Sequence, residues 1–355
     1  MRQKLNPSLF TLLAILWGSV LTSPLCAGAA LPDKGVSDKL LGAIRDADTR
    51  AVKMLLSEGA DANAADEDGL TVLMAAAISA GADCVELLLA KGADPNARSK
   101  SDVTALMLAI GRADKVRLLL AKGAEVNAKS KQGHTALTIA AARQGSAEVV
   151  KLLLDHGAQL TNLNVLGAAA RSGDIQVVRL LLERGADPND RNRIGGAPPV
   201  SAKRASEILK TGGAPPTSPV LGLAGNLGET PLMYAAFARN IEVIRLLLEK
   251  GAEVNARHNL NGTALMLAAQ MGDLVTTRLL LENGAEVNVR DESGYTALMY
   301  AAAAESNDPE LITALLAGGA EVNVKGKAGE TALKLTGRKG RTEIARLLAK
   351  AGAKE

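Results

Sequence analysis

The sequence predicts an all-α solenoid of stacked helix-turn-helix units, each ending in a β-turn. Two patterns predict it: Gly-Ala pairs recur about every 33 residues, and a tripeptide of Thr, a small residue or Pro, and Leu recurs in phase with them. A period of this length indicates stacked units, because one unit cannot bury both of its apolar faces alone. Only 2% of the 355 residues are aromatic, so burial must come from Leu, Ala, Val and Ile, which favours close helix packing.

The first segment, residues 1–29, has the layout of a signal peptide. Arg2 and Lys4 precede an apolar run from Leu9 to Leu21, and Ala27-Gly28-Ala29 offers an A-x-A cleavage site. The 13-residue run is shorter than a membrane-spanning helix requires. We therefore expect export to the periplasm or the exterior. A retained N-terminal anchor is the alternative, and a lipid anchor on Cys26 is disfavoured because Leu25 stands where a small residue normally precedes the lipidated cysteine.

Charge and cysteine content constrain the mature chain. Removing residues 1–29 leaves 39 basic and 38 acidic residues, a net charge of +1, which predicts no nucleic acid or other polyanion as partner. After Cys26 leaves with the leader, Cys84 remains alone, so no intrachain disulfide can form.

The repeating unit is clearest around Thr230. Its hydroxyl is suited to cap a helix, and Pro231 occupies the first helical position, where a missing amide costs nothing. Asn240 marks the turn to a longer second helix, Ile241 to Lys250, with one wide apolar face. Gly251 then supplies the positive φ that ends this helix.

The pattern divides the chain into a linker at 30–37, repeats 1–5 at 38–190, a degenerate repeat with a Pro- and Gly-rich insertion at 191–228, and repeats 7–10 at 229–355. The fifth repeat lacks about five turn residues after Gly157, which its helix pair can tolerate. Two interpretations of the segment 191–228 remain open. It is either an insertion that bends or interrupts the stack, or a hinge between two arrays that clamp a partner.

These units resemble the ankyrin repeat family, whose 33-residue unit carries a T-P-L-H-x-A signature. Thr263-Ala264-Leu265 and Gly284-Ala285-Glu286-Val287-Asn288 carry the resemblance most clearly. It implies an ankyrin solenoid of about ten repeats, one of them degenerate, in an exported array of bacterial type that binds protein. No unit keeps the signature histidine, and we expect methionine packing instead. The residues at that position are Met74, Met107, Thr138, Met233, Met266, Met299 and Lys334.

No residue pattern indicates catalysis. Cys84 falls at a core position of a second helix, and no activating histidine lies near it in sequence. His134 and His258 fall in turns, and His156 falls at a helix C-terminus, where it suits the helix dipole. The sequence contains no P-loop, dinucleotide fingerprint or nucleophile elbow. We expect a non-enzymatic protein without cofactor or metal.

The resemblance implies binding along a concave groove, at the turn tips and the exposed ends of the first helices. The candidate protein-binding residues are Arg45, Arg112, Arg143, Arg171, Phe237, Gln270, Met271, Tyr295, Arg338 and Lys339. Phe237, with Tyr295 at a turn tip, is the candidate aromatic anchor, whereas Tyr234 and Tyr300 are expected to pack between repeats.

A second basic series follows the Asn of each Gly-Ala-x-x-Asn segment. Its members are Arg98, Lys129, Arg191, Arg257, Arg290 and Lys325. They either pair within the array, as Arg290 with Asp291, or meet a partner protein with an acidic surface. The resulting prediction is a monomeric scaffold that binds a protein. Self-assembly, which the polar C-terminus disfavours, and regulation of an envelope enzyme are the alternatives.

Overall fold

The computed structural model describes residues 35–160, 165–191, 228–337 and 342–354. In these residues eighteen α-helices form nine consecutive pairs, units 1–9, and the only β-structure is a single bridge between Ala65 and Thr71. The inner helices, which come first in each unit, are α1 (Gly35–Arg45), α3 (Val72–Ser79), α5 (Ala105–Leu108), α7 (Ala136–Ala141), α9 (Val165–Ser172), α11 (Pro231–Phe237), α13 (Ala264–Gln270), α15 (Ala297–Ala303) and α17 (Ala332–Gly337). The outer helices are α2 (Thr49–Ser57), α4 (Ala82–Ala90), α6 (Ala113–Ala121), α8 (Ala147–Asp155), α10 (Ile175–Glu183), α12 (Ile241–Glu249), α14 (Leu274–Glu282), α16 (Pro309–Ala317) and α18 (Thr342–Lys350).

The all-α solenoid is confirmed. Each inner helix packs against the inner helices of its neighbours and against its own outer helix, and the outer helices stack in the same order. One apolar core, from Leu40 to Leu348, runs through all nine units. This arrangement explains why every helix pair has an apolar face, because each unit buries the apolar face of its neighbour.

Threonine caps begin most inner helices, as the sequence predicts. Thr71 Oγ1 accepts the amide of Met74 at 3.2 Å, and Thr230 Oγ1 accepts that of Met233 at 3.4 Å. Gly251 adopts φ = 86° after α12, which ends at Glu249, one residue before the predicted boundary. The predicted methionine packing is also confirmed, because the five methionines in place of the signature histidine are all buried.

An asparagine ladder joins the turns of successive units. Asn255 Nδ2 donates to the carbonyl of Gly284 at 3.0 Å, and its Oδ1 accepts the amide of Glu286 at 2.8 Å. Its other members, with the same two contacts to the following unit, are Asn63, Asn96, Asn127, Asn189, Asn288 and Asn323. The ladder therefore fixes the spacing of neighbouring units by satisfying backbone groups after each outer helix.

Units 5 and 6 pack directly on each other although 36 residues, 192–227, separate their described parts. Asn189 makes its ladder contacts with Gly251 at 3.0 Å and Glu253 at 2.7 Å, and Asn240 Nδ2 donates to the Ala170 carbonyl at 3.0 Å. These contacts join the described parts of the flanking arrays into one stack, so these parts show neither an interruption of the stack nor two arrays separated by a hinge. The insertion interrupts the sequence and leaves the stack continuous. The helical piece predicted at 201–211 lies outside the described residues.

Two further boundaries can be compared. The predicted linker at 30–37 extends too far, because helix α1 already begins at Gly35. The helix pair of unit 5 is present as expected, since α9 packs on α10. Its shortened turn includes residues 161–164, which lie outside the described part of the chain.

Candidate functional site

The C-terminal ends of the inner helices and the first residues of the turns after them form one row along the stack, which we call the groove row. Its described members are Arg45, Ile78, Gly111, Arg112, Arg143, Arg171, Phe237, Gln270, Met271 and Ala303. Because the units stack in chain order, each member lies beside its counterparts in the neighbouring units. The stack thus brings most of the predicted binding residues together, while Arg338 and Lys339 lie outside the described residues.

Basic side chains dominate the row in units 1–5. Arg45 and Arg171 are exposed, and neither forms an ion pair with any residue that the structure describes. Arg143 lies over Gly111, and Arg112 pairs with Asp114 at 2.7 Å on the surface. The hydrogen bond that the Arg112 guanidinium donates to this carboxylate raises the pKa of Arg112, and the same contact lowers the pKa of Asp114. This half of the groove is positive.

The row is uncharged in units 6–8. Phe237 is half-buried against the core, and Gln270 and Met271 are half-buried beside it along the stack. Ala303 continues the row in unit 8. The row therefore changes from basic to neutral and partly apolar near the junction of units 5 and 6, while two exposed charged residues, Arg239 and Glu305, lie in the turns that follow α11 and α15.

Tyr295 is wrongly predicted as an exposed aromatic anchor. Only 5% of it is exposed, because its ring covers Gly326 in the turn of the next unit, where a Cβ atom would lie 2.8 Å from the ring. Tyr295 also packs edge-on against Tyr300, with ring centroids 5.7 Å apart. The Tyr300 hydroxyl donates to Asp291 Oδ2 at 2.5 Å, and burial raises the pKa of both groups. Tyr295 and Tyr300 therefore both pack between units. This was predicted for Tyr300 and not for Tyr295.

The second basic series pairs within the array. Arg98 contacts Glu125 of the next unit at 2.9 Å, and Arg257 contacts Glu286 in the same way at 2.9 Å. Arg290 donates to the carbonyl of Lys325 at 2.6 Å, so the predicted ion pair with Asp291 is wrong, although the side chain is held within the array. Arg191 likewise donates to the Arg257 carbonyl, at 2.8 Å. These side chains therefore reinforce the asparagine ladder.

Sequence reasoning missed a buried lysine. Lys115 is 2% exposed on α6, at the position where α8 and α10 carry Val149 and Val177, and its Nζ donates to the carbonyls of Ala76 and Ala77 at 3.1 and 2.9 Å. These carbonyls lie near the end of α3, where helix carbonyls lack partners within the helix. Desolvation lowers the pKa of Lys115. The sequence did carry a signal for this residue, because Lys115 is a charged residue at a helix position that is apolar in α8 and α10.

The remaining candidate groups are structural. Cys84 is 1% exposed, and burial raises the pKa of its thiol, which makes the thiol a poor nucleophile. His156 Nδ1 lies 2.8 Å from the Leu152 carbonyl at the end of α8, as its predicted capping role requires. Burial lowers the pKa of His134, and that of His258 to about 4.

Two absences hold for the described ranges, 35–160, 165–191, 228–337 and 342–354. Within those ranges, no three His, Cys, Asp or Glu side chains are grouped so that they could hold a metal ion. None of the helices in the same ranges has the length and apolar character needed to cross a membrane.

The fold and the groove define a helical repeat protein with an extended surface. A family model for ankyrin repeats, in three copies, matches residues 40–130, 127–192 and 257–324, and a single-repeat model matches residues 227–259. The chain belongs to the ankyrin repeat family. Most of the insertion lies between the matched segments. Comparison with curated proteins gives no match. Ankyrin repeats are generally modules of protein–protein interaction and typically lack catalytic activity.

Proposed function

We propose that this protein is a non-catalytic scaffold that acts outside the cytoplasm and binds the acidic surface of a partner protein in its concave groove. The observation that carries the proposal is the groove row of units 1–5, where Arg45, Arg143 and Arg171 have no ion-pair partner in the described ranges. Free basic side chains on a rigid surface attract an acidic partner and speed its association.

The contrast with the second basic series supports this assignment. Arg98 and Arg257 are held by carboxylates of the next unit, so their charge is balanced within the array. The groove row has one such pair in the same half, Arg112 with Asp114. Arg191 and Arg290 of the second series donate to backbone carbonyls of the next unit, so these side chains are also held within the array, which leaves the groove row as the surface with the freer arginines.

Export is part of the proposal and rests on the leader at 1–29. N-terminal sequencing of the protein recovered from cell fractions tests it. We expect an N-terminus at Ala30 and recovery outside the cytoplasm. An intact Met1 terminus in the cytoplasmic fraction would contradict the proposed location.

A charge-reversal experiment tests the binding surface. The groove variant carries Arg112→Glu, Arg143→Glu and Arg171→Glu, and the control carries Lys151→Glu, Arg179→Glu and Arg245→Glu on α8, α10 and α12. All three control residues are exposed on outer helices, and their substitutions change the net charge by the same amount as those of the groove variant. With the mature chain as bait for extracellular or envelope protein, we expect the groove variant to reduce capture about tenfold or more and to weaken its salt dependence.

Equal capture by the two variants would show that the groove charge plays no part. Sedimentation over a range of concentrations separates binding of another protein from self-assembly. The expected result is a monomer at all concentrations, and reversible growth of the particle would favour the self-assembly alternative.

A further inference from the structure

The turn that precedes the inner helix is closed by the same pair of contacts in units 2, 3 and 8. In unit 2, Asp66 Oδ1 accepts the backbone amides of Asp68 and Leu70, both at 2.9 Å. Ser99 Oγ in unit 3 and Asp291 Oδ1 in unit 8 make the equivalent two contacts. One acceptor at the start of the turn thus satisfies two amides, the second of which belongs to the residue directly before the capping threonine.

Unit 7 has His258 at this position, and its imidazole does not make both contacts. Its Nδ1 accepts the amide of Leu260 at 3.1 Å, and a neutral imidazole has one acceptor nitrogen. Among the described residues, the amide of Gly262 therefore has no hydrogen-bond partner. The ring also accounts for the glycine, because a Cβ atom at position 262 would lie 2.0 Å from His258 Nε2. His258 thus requires a glycine here and leaves the amide of that glycine unpaired.

The residue before this glycine, Asn261, is exposed and has an unusual backbone conformation. Its φ is 60°, in the left-handed region that residues other than glycine seldom adopt. The carbonyl of Asn261 accepts no hydrogen bond from the described residues. The peptide group between Asn261 and Gly262 can therefore rotate without the loss of a hydrogen bond. In five other units the equivalent turn residue is a glycine with positive φ, namely Gly69, Gly133, Gly228, Gly294 or Gly329.

We propose that Asn261 is a site of spontaneous deamidation. The backbone nitrogen of Gly262 attacks the side-chain carbonyl carbon of Asn261, and the new C–N bond closes a succinimide ring. The side-chain amino group takes up the proton of the backbone amide and leaves as ammonia. Water then opens the ring at one of its two carbonyls and leaves aspartate or isoaspartate. Glycine favours the attack because it has no Cβ atom to block the approach of its nitrogen.

The second Asn-Gly pair of the sequence, Asn283-Gly284, provides an internal reference. The amide of Gly284 donates to the carbonyl of Leu281 at 3.0 Å, and Asn283 Nδ2 donates to the carbonyl of Leu279 at 2.8 Å. Both reacting groups are therefore held at the end of α14, and attack requires this helix end to open. The same dipeptide is thus protected at one site and unprotected at the other.

Deamidation of Asn261 changes a contact between the turns of units 7 and 8. Asn261 Nδ2 donates to Glu292 Oε1 at 3.3 Å, and the carbonyl of Leu260 accepts the Glu292 amide at 3.0 Å. The reaction replaces the donor with a carboxylate that faces Glu292, and like charges at this distance repel. Isoaspartate also adds a methylene group to the backbone of the turn. The contact between these units therefore weakens with the age of the molecule, independently of any partner in the groove.

The test compares the two sites in the full mature chain. The protein is incubated at pH 7 in water labelled with heavy oxygen, and mass spectrometry of its tryptic peptides gives the rate at each site. We expect Asn261 to deamidate at least about tenfold faster than Asn283, because only the second site must open first. In the chain unfolded with urea, the two sites should react at similar rates, since they share the Asn-Gly sequence.

His258→Ser tests the cause of the reactivity. The serine supplies the acceptor that Ser99 supplies to the amide of Val103, so the Gly262 amide regains a partner. We expect His258→Ser to slow deamidation at Asn261 about tenfold or more, because attack then costs a hydrogen bond as well. His156→Ser is the control and should leave the rate unchanged. Circular dichroism confirms that each variant is folded.

Two further variants test the consequence for the stack. Asn261→Asp reproduces one product, and Asn261→Gly introduces the residue of the equivalent turns. We expect Asn261→Asp to unfold at a lower urea concentration than Asn261→Gly. Equal rates at Asn261 and Asn283 in the folded chain, or an unchanged rate in folded His258→Ser, would each overturn the proposed site. Equal unfolding midpoints of the two Asn261 variants would overturn the weakening of the contact.

Discussion

The first five units and the last four share their connections and differ in their groove. Asn96 in the first half and Asn288 in the second make the same two contacts with the following unit. The groove row, by contrast, has four arginines in units 1–5 and no charged member among its described residues in units 6–9. The hydrogen bonds that align the units lie in the turns, so the charge of the groove row can differ between the halves while these contacts are kept.

The core shows the same kind of difference. Lys115 of the first half and Thr276 of the second occupy the position that carries Val149 and Val177 elsewhere. Both of these buried polar groups have hydrogen-bond partners. Lys115 reaches carbonyls of α3, and Thr276 Oγ1 donates to Asp273 at 2.5 Å. Buried polar substitutions are tolerated where a partner lies within reach.

Acid should weaken the second half first, through His258. Its imidazole is half-buried in the turn before unit 7, and its Nδ1 accepts the Leu260 amide at 3.1 Å. The folded-state pKa of about 4 lies below the ordinary 6.5, so the folded chain resists protonation and stability falls as the pH drops from 6.5 to 4. The loss amounts to about 3 kcal/mol. We therefore expect His258→Ser to remove most of this loss of stability. The free energies of unfolding measured with urea at pH 7 and at pH 4.5 should differ much less in the variant than in the unmodified chain.

Serine suits this position because Ser99 accepts the Val103 amide in the equivalent turn of unit 3. His156→Ser, on the exposed end of α8, is the control and should retain the acid sensitivity of the unmodified chain. If the free energy of unfolding of His258→Ser fell with pH as steeply as that of the unmodified chain, the acid-sensitive group would be another residue.

The junction between the halves should be as strong as an ordinary interface. Asn189→Ala removes two hydrogen bonds between units 5 and 6, and Asn288→Ala removes the same two between units 7 and 8. Each loss should cost about 2 kcal/mol in the free energy of unfolding, measured with urea. A much smaller cost for Asn189→Ala would mean that units 5 and 6 are not stacked in solution and would restore the hinge interpretation.

The smallest expected effect distinguishes two buried threonines of α14. Thr277 is fully buried, and its hydroxyl makes no hydrogen bond with the described residues, whereas the neighbouring Thr276 hydroxyl has Asp273. Thr277→Val should raise the free energy of unfolding by about 1 kcal/mol, because it removes an unsatisfied polar group at nearly constant volume. Thr276→Val is the matched comparison and should lower it. Changes of equal sign would contradict this assignment.

The sequence predicts the fold well because its signals are local. Thr230 and Pro231 specify the start of α11, and Gly251 specifies the end of α12, whatever lies around them. The candidate site is predicted in part. The position of each groove residue follows from the repeat phase, but the exposure of Tyr295 depends on Gly326, 31 residues later in the chain.

The sequence by itself determined the repeating unit, its helix boundaries and the methionine core, since a period of about 33 residues fixes which faces must be buried. Only the tertiary structure decided which unit follows Arg191, which carbonyls Lys115 reaches, and which arginines are paired. These outcomes depend on contacts between residues far apart in the chain, such as Asn189 with Gly251. Such contacts are set by the stacking of whole units, and a local pattern does not contain that information.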